Sequence, residues 1–330
     1  MYQPPLSFSP VHRRWSRRLA LLWWICCLWF AGCTSPPPPE TPTAPDPAVG
    51  TPPSVPASEK ELLHFLWRVT SDTTEVFLLG SVHVARADLY PLDEVIEKSF
   101  EASEVLVTEV PMTPGAEEAA AQSLVQAALY PQGDALQQHI SAKTLELLTA
   151  HLVQSGGNLA GLSRLRPWFV SIALTMGELA QLKYDPRAGI DQHFVRRAMK
   201  LEKETGALET IGEQVAIFAN LSDALQELML RQTLEELDEL GPTMQTVFEA
   251  WLAGNADLLS ETLMAGMKQP EYAELHRTMF LERNVRMADK IEAYLMGTKK
   301  HFVVVGSGHL IGEGGIVDLL QKAGHTPTQL

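Results

Sequence analysis

Two stretches near opposite ends of the chain carry one pattern: Glu75-Val76-Phe77-Leu78-Leu79-Gly80-Ser81-Val82-His83 and Phe302-Val303-Val304-Val305-Gly306-Ser307-Gly308-His309. In each, a short apolar run rich in β-branched or aromatic residues reads as a strand buried on both faces. Each then delivers Gly-Ser-x-His. Glycine lets the backbone turn sharply or admits a close neighbour. A histidine three residues later projects over the carboxyl edge of the sheet, where open α/β sheets bind ligands. If the two strands are neighbours, His83 and His309 converge, and two imidazoles at one edge begin a metal site.

Working outward, His64 to Thr70 alternates polar and apolar residues, and Ser71-Asp72-Thr73-Thr74 turns it into the Glu75 run, which predicts a β-hairpin. Pro91 is expected to open a helix, with Asp93 and Glu94 in its first turn and Leu92, Val95, Ile96 and Phe100 on its buried face. Val105 to Val110 follows as a second buried strand, completing a parallel, right-handed strand–helix–strand crossover. That strand carries Glu109 at the same edge as His83. An acid on a buried strand is rare unless it ligates or is paired, so Glu109 is either a third ligand or base, or the partner of a buried arginine.

From Pro114 to Gly297 the pattern is helical, broken at Pro131, Gly156-Gly157, Pro186, Gly206, Pro242, Gly254 and Pro270. Pro167 starts one helix, Ile190 to Lys200 forms another, and Thr205 to Leu208 is a short strand. After the Phe302 strand come a helix from Gly315 to Lys322 and an edge strand from Thr326 to Leu330. The expected class is α/β (α+β): a mixed central sheet built from both ends of the domain, with a large helical insertion.

The N-terminus has a different character. Arg13, Arg14, Arg17 and Arg18 precede an apolar run from Leu19 to Ala31, and no acid occurs before Glu40. The run is short for a bilayer span, which takes roughly 20 residues, and fits the apolar core of an export signal. It ends in Phe30-Ala31-Gly32-Cys33, similar to a lipobox, so residues 1–33 are expected to be a lipoprotein signal with Cys33 acylated. Thr34 in place of aspartate predicts sorting to the outer membrane, facing the periplasm. Residues 34–57, rich in Pro, Thr, Ala and Ser, read as an extended tether of at most ~70 Å. The folded domain is then 58–330. The cysteines stand at 26, 27 and 33, so that domain has no thiol, and any metal must be held by His, Asp and Glu. The chain has 26 Lys and Arg against 40 Asp and Glu. Loss of the leader's four arginines deepens the net charge from −14 to −18. Such an acidic surface excludes nucleic acid as a partner, because phosphate contacts need Lys and Arg. Oligomeric state has no signature in the sequence.

At these residues the sequence resembles the TraB/GumN family, which includes the Tiki-type metalloproteases. The resemblance rests on Gly80–His83, Gly306–His309 and Glu109. It extends through Tyr90-Pro91-Leu92, Arg166-Pro167-Trp168, Gly189-Ile190-Asp191, Leu208-Glu209-Thr210 with Gln214, Arg283-Asn284, and Val305 to Gly315. It implies a divalent-metal-dependent, peptidase-like hydrolase with His83, His309 and Glu109 as metal and catalytic residues. Arg283 is expected to point its charge at the site, where it would stabilise an oxyanion. Gly80, Ser81, Gly306, Ser307, Arg166 and Asn284 are expected to support the site or its substrate. Nitrogen and oxygen donors suit Mn, Co or Zn without choosing among them. The substrate would be a peptide or small acyl compound of the envelope. Two other readings remain open: a non-catalytic lipoprotein binding haem or a peptide, and a metal-independent esterase. Asp191 and Glu209 are expected to cap or pair within the helical layer, and Met264 with Met267 to be core. Ser81 and Ser307 lack the Gly-x-Ser-x-Gly setting of a nucleophile. Gly306-x-Gly308 lacks the third glycine of a dinucleotide site, and His-Glu-x-x-His is absent.

Overall fold

The computed structural model describes residues 63–330 except Ala265. The signal, Cys33, the tether and residues 58–62 lie outside the described residues. Strands β1 (Leu66–Thr70) and β2 (Glu75–Ser81) form the expected antiparallel hairpin, with Thr70 opposite Glu75. Helix α1 (Glu94–Ala102) begins later than Pro91 suggests, because Asp93 caps it by accepting the Val95 N–H at 3.0 Å. Val95 is consequently 38% exposed, and Ile96 and Phe100 carry the buried face. Strand β3 (Val105–Thr108) stops just before Glu109.

The insertion contains α2 (Pro114–Ala128), α3 (Ala142–Ser155), α4 (Pro167–Gln181) and α5 (Ile190–Lys200), then strand β4 (Glu204–Ala207). It continues with α6 (Ile211–Ala219), α7 (Asp223–Glu236), α8 (Leu240–Leu252), α9 (Ala256–Met264) and α10 (Ala273–His276). A π-helical turn, Arg277–Leu281, joins α10 to α11 (Glu282–Leu295). The chain closes with β5 (His301–Gly306), α12 (Ser307–Leu310), α13 (Ile316–Lys322) and β6 (Thr328–Gln329).

The six strands lie in the order β4-β3-β5-β2-β1-β6. As expected, the sheet is mixed and drawn from both ends of the domain: β4, β3, β5 and β2 run parallel, and β1 runs against β2 and β6. The crossover from β2 to β3 is parallel, yet the two strands are not neighbours, because β5 occupies the gap between them. Phe302 of β5 explains what fills that gap. Its ring packs 5.5 Å from Phe100 of α1 and 4.9 Å from Phe194 of α5, so the last long strand anchors the helices on one sheet face. A smaller apolar cluster, Leu136, Leu148, Leu152, Val170 and Leu230, holds the distal helices together. Among the described residues no helix is long and apolar enough to cross a membrane.

Candidate functional site

The register of three parallel strands assembles the site. Ser81 of β2 pairs with Gly306 of β5, and Thr108 of β3 pairs with Val304. Three carboxyl ends therefore finish at nearly one level, and His83, Glu109 and His309 arrive together. Glu109 Oε1 lies 3.8 Å from His83 Nε2 and 3.9 Å from His309 Nε2. It also accepts the Gly306 N–H at 2.6 Å. Glu109 and His309 are 0% exposed and His83 is 2% exposed.

Each imidazole is gripped from behind. His83 Nδ1 lies 3.1 Å from Asp191 Oδ1, an acceptor, so Nδ1 carries a proton and Nε2 is turned towards Glu109. Gly189 and Ile190 put Asp191 there. The Ile190 N–H bonds to Val82 O at 3.2 Å, and a Cβ on Gly189 would stand 2.4 Å from His83 O. Only glycine allows that approach. On the other side, Asn284 Nδ2 donates to Gly314 O at 2.8 Å, which leaves Oδ1 to accept from His309 Nδ1 at 2.6 Å. His309 is thus also protonated on Nδ1. Burial above all, then the charges of Arg283 and His83, holds its pKa well below the ordinary imidazole value. Its Nε2 is buried and has no hydrogen-bond partner.

Glu109 Oε2 accepts from Arg283 Nη2 at 3.0 Å and from Gln214 Nε2 at 3.3 Å. Arg283 also gives Nε to both Glu209 oxygens at 3.0 Å, Nη2 to Glu209 Oε2 at 2.6 Å and Nη1 to Met279 O at 3.1 Å. Arg283 does reach the site, but these bonds commit it to aiming Glu109 rather than to facing a substrate. Glu209 lies alongside because its N–H continues the β3–β4 ladder onto Glu109 O at 2.7 Å. Glu209 thus pairs with the helical layer as expected, through Arg283 and Arg286 of α11, whereas that expectation is corrected for Asp191, which reaches His83 at the sheet edge. The signal for them was the motif around each, Gly189-Ile190-Asp191 and Leu208-Glu209-Thr210.

The supporting residues divide. Ser307 Oγ donates to Ser81 O at 2.9 Å, tying the two echoed turns together, and Ser81 Oγ stands 3.5 Å from His83 Nδ1. Ser307 is thus committed to a backbone carbonyl, and Ser81 stands by the ring nitrogen that Asp191 holds, not in the setting of a nucleophile. A Cβ on Gly80 would stand 2.3 Å from the Phe65 ring, and Gly80 O accepts from Trp251 Nε1 at 2.7 Å, a contact with no sequence signal. Arg166 lies elsewhere, its guanidinium 4.6 Å over the Tyr130 ring.

Among the described residues no three His, Cys, Asp or Glu side chains close a metal shell as they stand. The donor chemistry nevertheless fits one. Two Nδ1-protonated imidazoles present Nε2 towards one carboxylate oxygen, and each is backed by a hydrogen-bond acceptor, as metal-binding histidines are. Donors sharing a tetrahedral ion stand about 3.4 Å apart, so the observed 3.8 and 3.9 Å are open by only a few tenths of an ångström. Of the three buried acids here, Glu109 and Glu209 share the buried Arg283, with Arg286 3.6 Å from Glu209, and Asp191 pairs with His83.

The TraB/PrgY/gumN family pattern matches residues 65–329. The chain belongs to that family. It is 26% identical over 263 residues to the uncharacterized protein YbaP of Escherichia coli K12, covering 78% of this chain and 94% of that protein. It is 22% identical over 331 residues to metalloprotease TIKI2 of Danio rerio, covering 83% of this chain and 63% of that protein. The human metalloprotease TIKI1 is also 22% identical, over 81% of this chain and 62% of its own length. No solved structure matches the chain.

Proposed function

We propose that this protein is a divalent-metal-dependent hydrolase that cuts a peptide or related acyl bond. The observation that carries the reading is the aim of two Nδ1-protonated imidazoles at one buried carboxylate, with His309 Nε2 unpaired. Similarity to proteins named metalloproteases supports it. His83 and His309 would hold the ion. When bound, it would supply Lewis acidity, polarising a carbonyl and making water a nucleophile near neutral pH. Glu109 would complete the donor set of the two histidines through Oε1, the atom that both Nε2 atoms face. Arg283 and Gln214 hold its other oxygen, so the carboxylate cannot swing away. Asp191 and Asn284 hold both Nδ1 atoms and so aim both Nε2 atoms at Glu109. Mn, Co and Zn all suit these donors.

Metal analysis of the purified protein beside His83→Ala and His309→Ala tests the reading. The expected result is about one equivalent of metal in the wild type, little in either variant, and peptidase activity abolished by chelation. Equal, negligible metal in all three would sink it. The full burial of Glu109 and His309 favours a second reading, a protein that binds a ligand without turning it over. Tight binding without cleavage across a peptide and ester panel, unaltered by Glu109→Gln, would select it.

We also propose that Cys33 is lipid-modified and holds the domain in the cell envelope, at the outer membrane facing the periplasm. The apolar run before Cys33 and the acid-free leader support this. Incorporation of labelled palmitate should be lost in Cys33→Ala, and an unlabelled wild type would overturn the assignment.

A further inference from the structure

The three metal-facing side chains are sealed from solvent, so a substrate needs an approach. A cavity of about 520 Å³ adjoins His309, within the range of small-molecule pockets. It shares Asn284, which holds His309 Nδ1, and Gly308, the residue before His309. Its apolar walls are Met264, Met267, Phe280, Leu281 and Ile311. The methionines that read as plain core in the sequence thus also line a chamber, and flexible, polarisable thioethers suit a variable apolar guest. Glu313 and Lys322 also border it, with opposite charges, so the cavity favours neither ion.

Phe280 borders both spaces. It is a wall of the cavity, and its ring lies 5.1 Å from the His309 ring, tilted by 40°. It belongs to the π-helical turn Arg277–Leu281, which sits directly before Arg283 and Asn284. Such turns interrupt the regular hydrogen-bond ladder and recur at functional sites. The turn therefore puts an aromatic ring at the partition.

We infer that this cavity receives an uncharged apolar side chain of the substrate, and that Phe280 is the partition that moves to expose His309. The inference rests on the hydrolase reading for the word substrate, but both parts are measurable without turnover.

The full chain, carrying ¹³C-methyl methionine, is titrated with N-acetyl-leucinamide and separately with N-acetyl-lysinamide. The leucine probe should shift the Met264 and Met267 methyl signals and leave those of exposed Met199 and Met296 in place. No shift at Met264 and Met267, or an equal shift from the lysine probe, overturns the cavity assignment. For the partition, the chelated protein is treated with diethyl pyrocarbonate and the rates at His276, which lines the cavity, and His309 are compared by mass spectrometry. His309 should react about tenfold slower than His276 in the wild type, as for a group reached only by local opening. Phe280→Ala should bring the two rates together, and Phe280→Leu serves if the alanine variant does not fold. His309 protected equally in the wild type and in the folded variant overturns the partition and leaves the hydrolase reading standing. Absent turnover with both results intact overturns the hydrolase reading alone.

Discussion

Arg283 shows how much of the site rests on single charges. It is 0% exposed and bonded to two buried acids, an arrangement seldom selected for stability, since apolar replacements of whole buried ion clusters are often as stable. Removing one partner is different. Arg283→Met leaves Glu109 buried without its cation and Glu209 with only the more exposed Arg286, 3.6 Å away, and should cost about 3–5 kcal/mol in chemical denaturation. Glu109→Gln keeps Arg283 paired with Glu209 and should cost clearly less. An equal cost for the two would contradict the assigned bonding. A pH dependence belongs to this scale as well. Burial, assisted by Arg196, lowers the His193 pKa to about 4, against the pull of Glu97, whose Oε1 lies 3.3 Å from His193 Nε2 and whose other oxygen pairs with Arg197. Unfolded histidine, near 6.5, therefore binds a proton that the folded form refuses between pH 6.5 and 4, so stability falls as pH falls. From pH 7 to 5 the loss is on the order of 2 kcal/mol. Urea unfolding at both pH values should show the wild type losing that much more than His193→Phe.

Among the elements, α5 matters most to the site because its first turn meets the end of β2. Its span was legible in the sequence, but the need for glycine at 189 was not, since the obstacle is a carbonyl 106 residues earlier in the chain. Gly189→Ala puts a methyl group against His83 O and should cost about 1–3 kcal/mol of stability, as overpacking does. By drawing Asp191 off His83, it should also weaken metal affinity about 10- to 100-fold. Unfolding and metal titration on one preparation check both, and unchanged affinity would detach Asp191 from the site. The start of α1 carries a similar lesson. Proline and acids near 91–94 marked a helix, while the competition between Pro91 and the Asp93 cap set its first residue and turned Val95 outward.

At the scale of the whole molecule, the sheet cannot form from either end alone. β5 comes from the last tenth of the chain and lies between β2 and β3, and β6 pairs with β1. The described region has its own core, which Phe65, Val305 and Leu320 help to close from both ends. A chain of residues 63–330 should therefore fold alone, and calorimetry should place its midpoint within about 2 °C of that of residues 34–330. A large drop would mean that part of the tether belongs to the fold.

The sequence by itself determined the strand ends, the residues they deliver and the mixed character of the sheet, because apolar runs and glycines act over a few neighbouring residues. It paired His83 with His309 through the likeness of their contexts and placed Glu109 at the same edge. Only the tertiary structure decided that β5 lies between β2 and β3, that Asp191 and Asn284 set the protonation of the two imidazoles, and that Arg283 and Glu209 hold Glu109 still. Those contacts join residues 25 to 174 positions apart. Local propensity carries no record of such distances, and packing settles them.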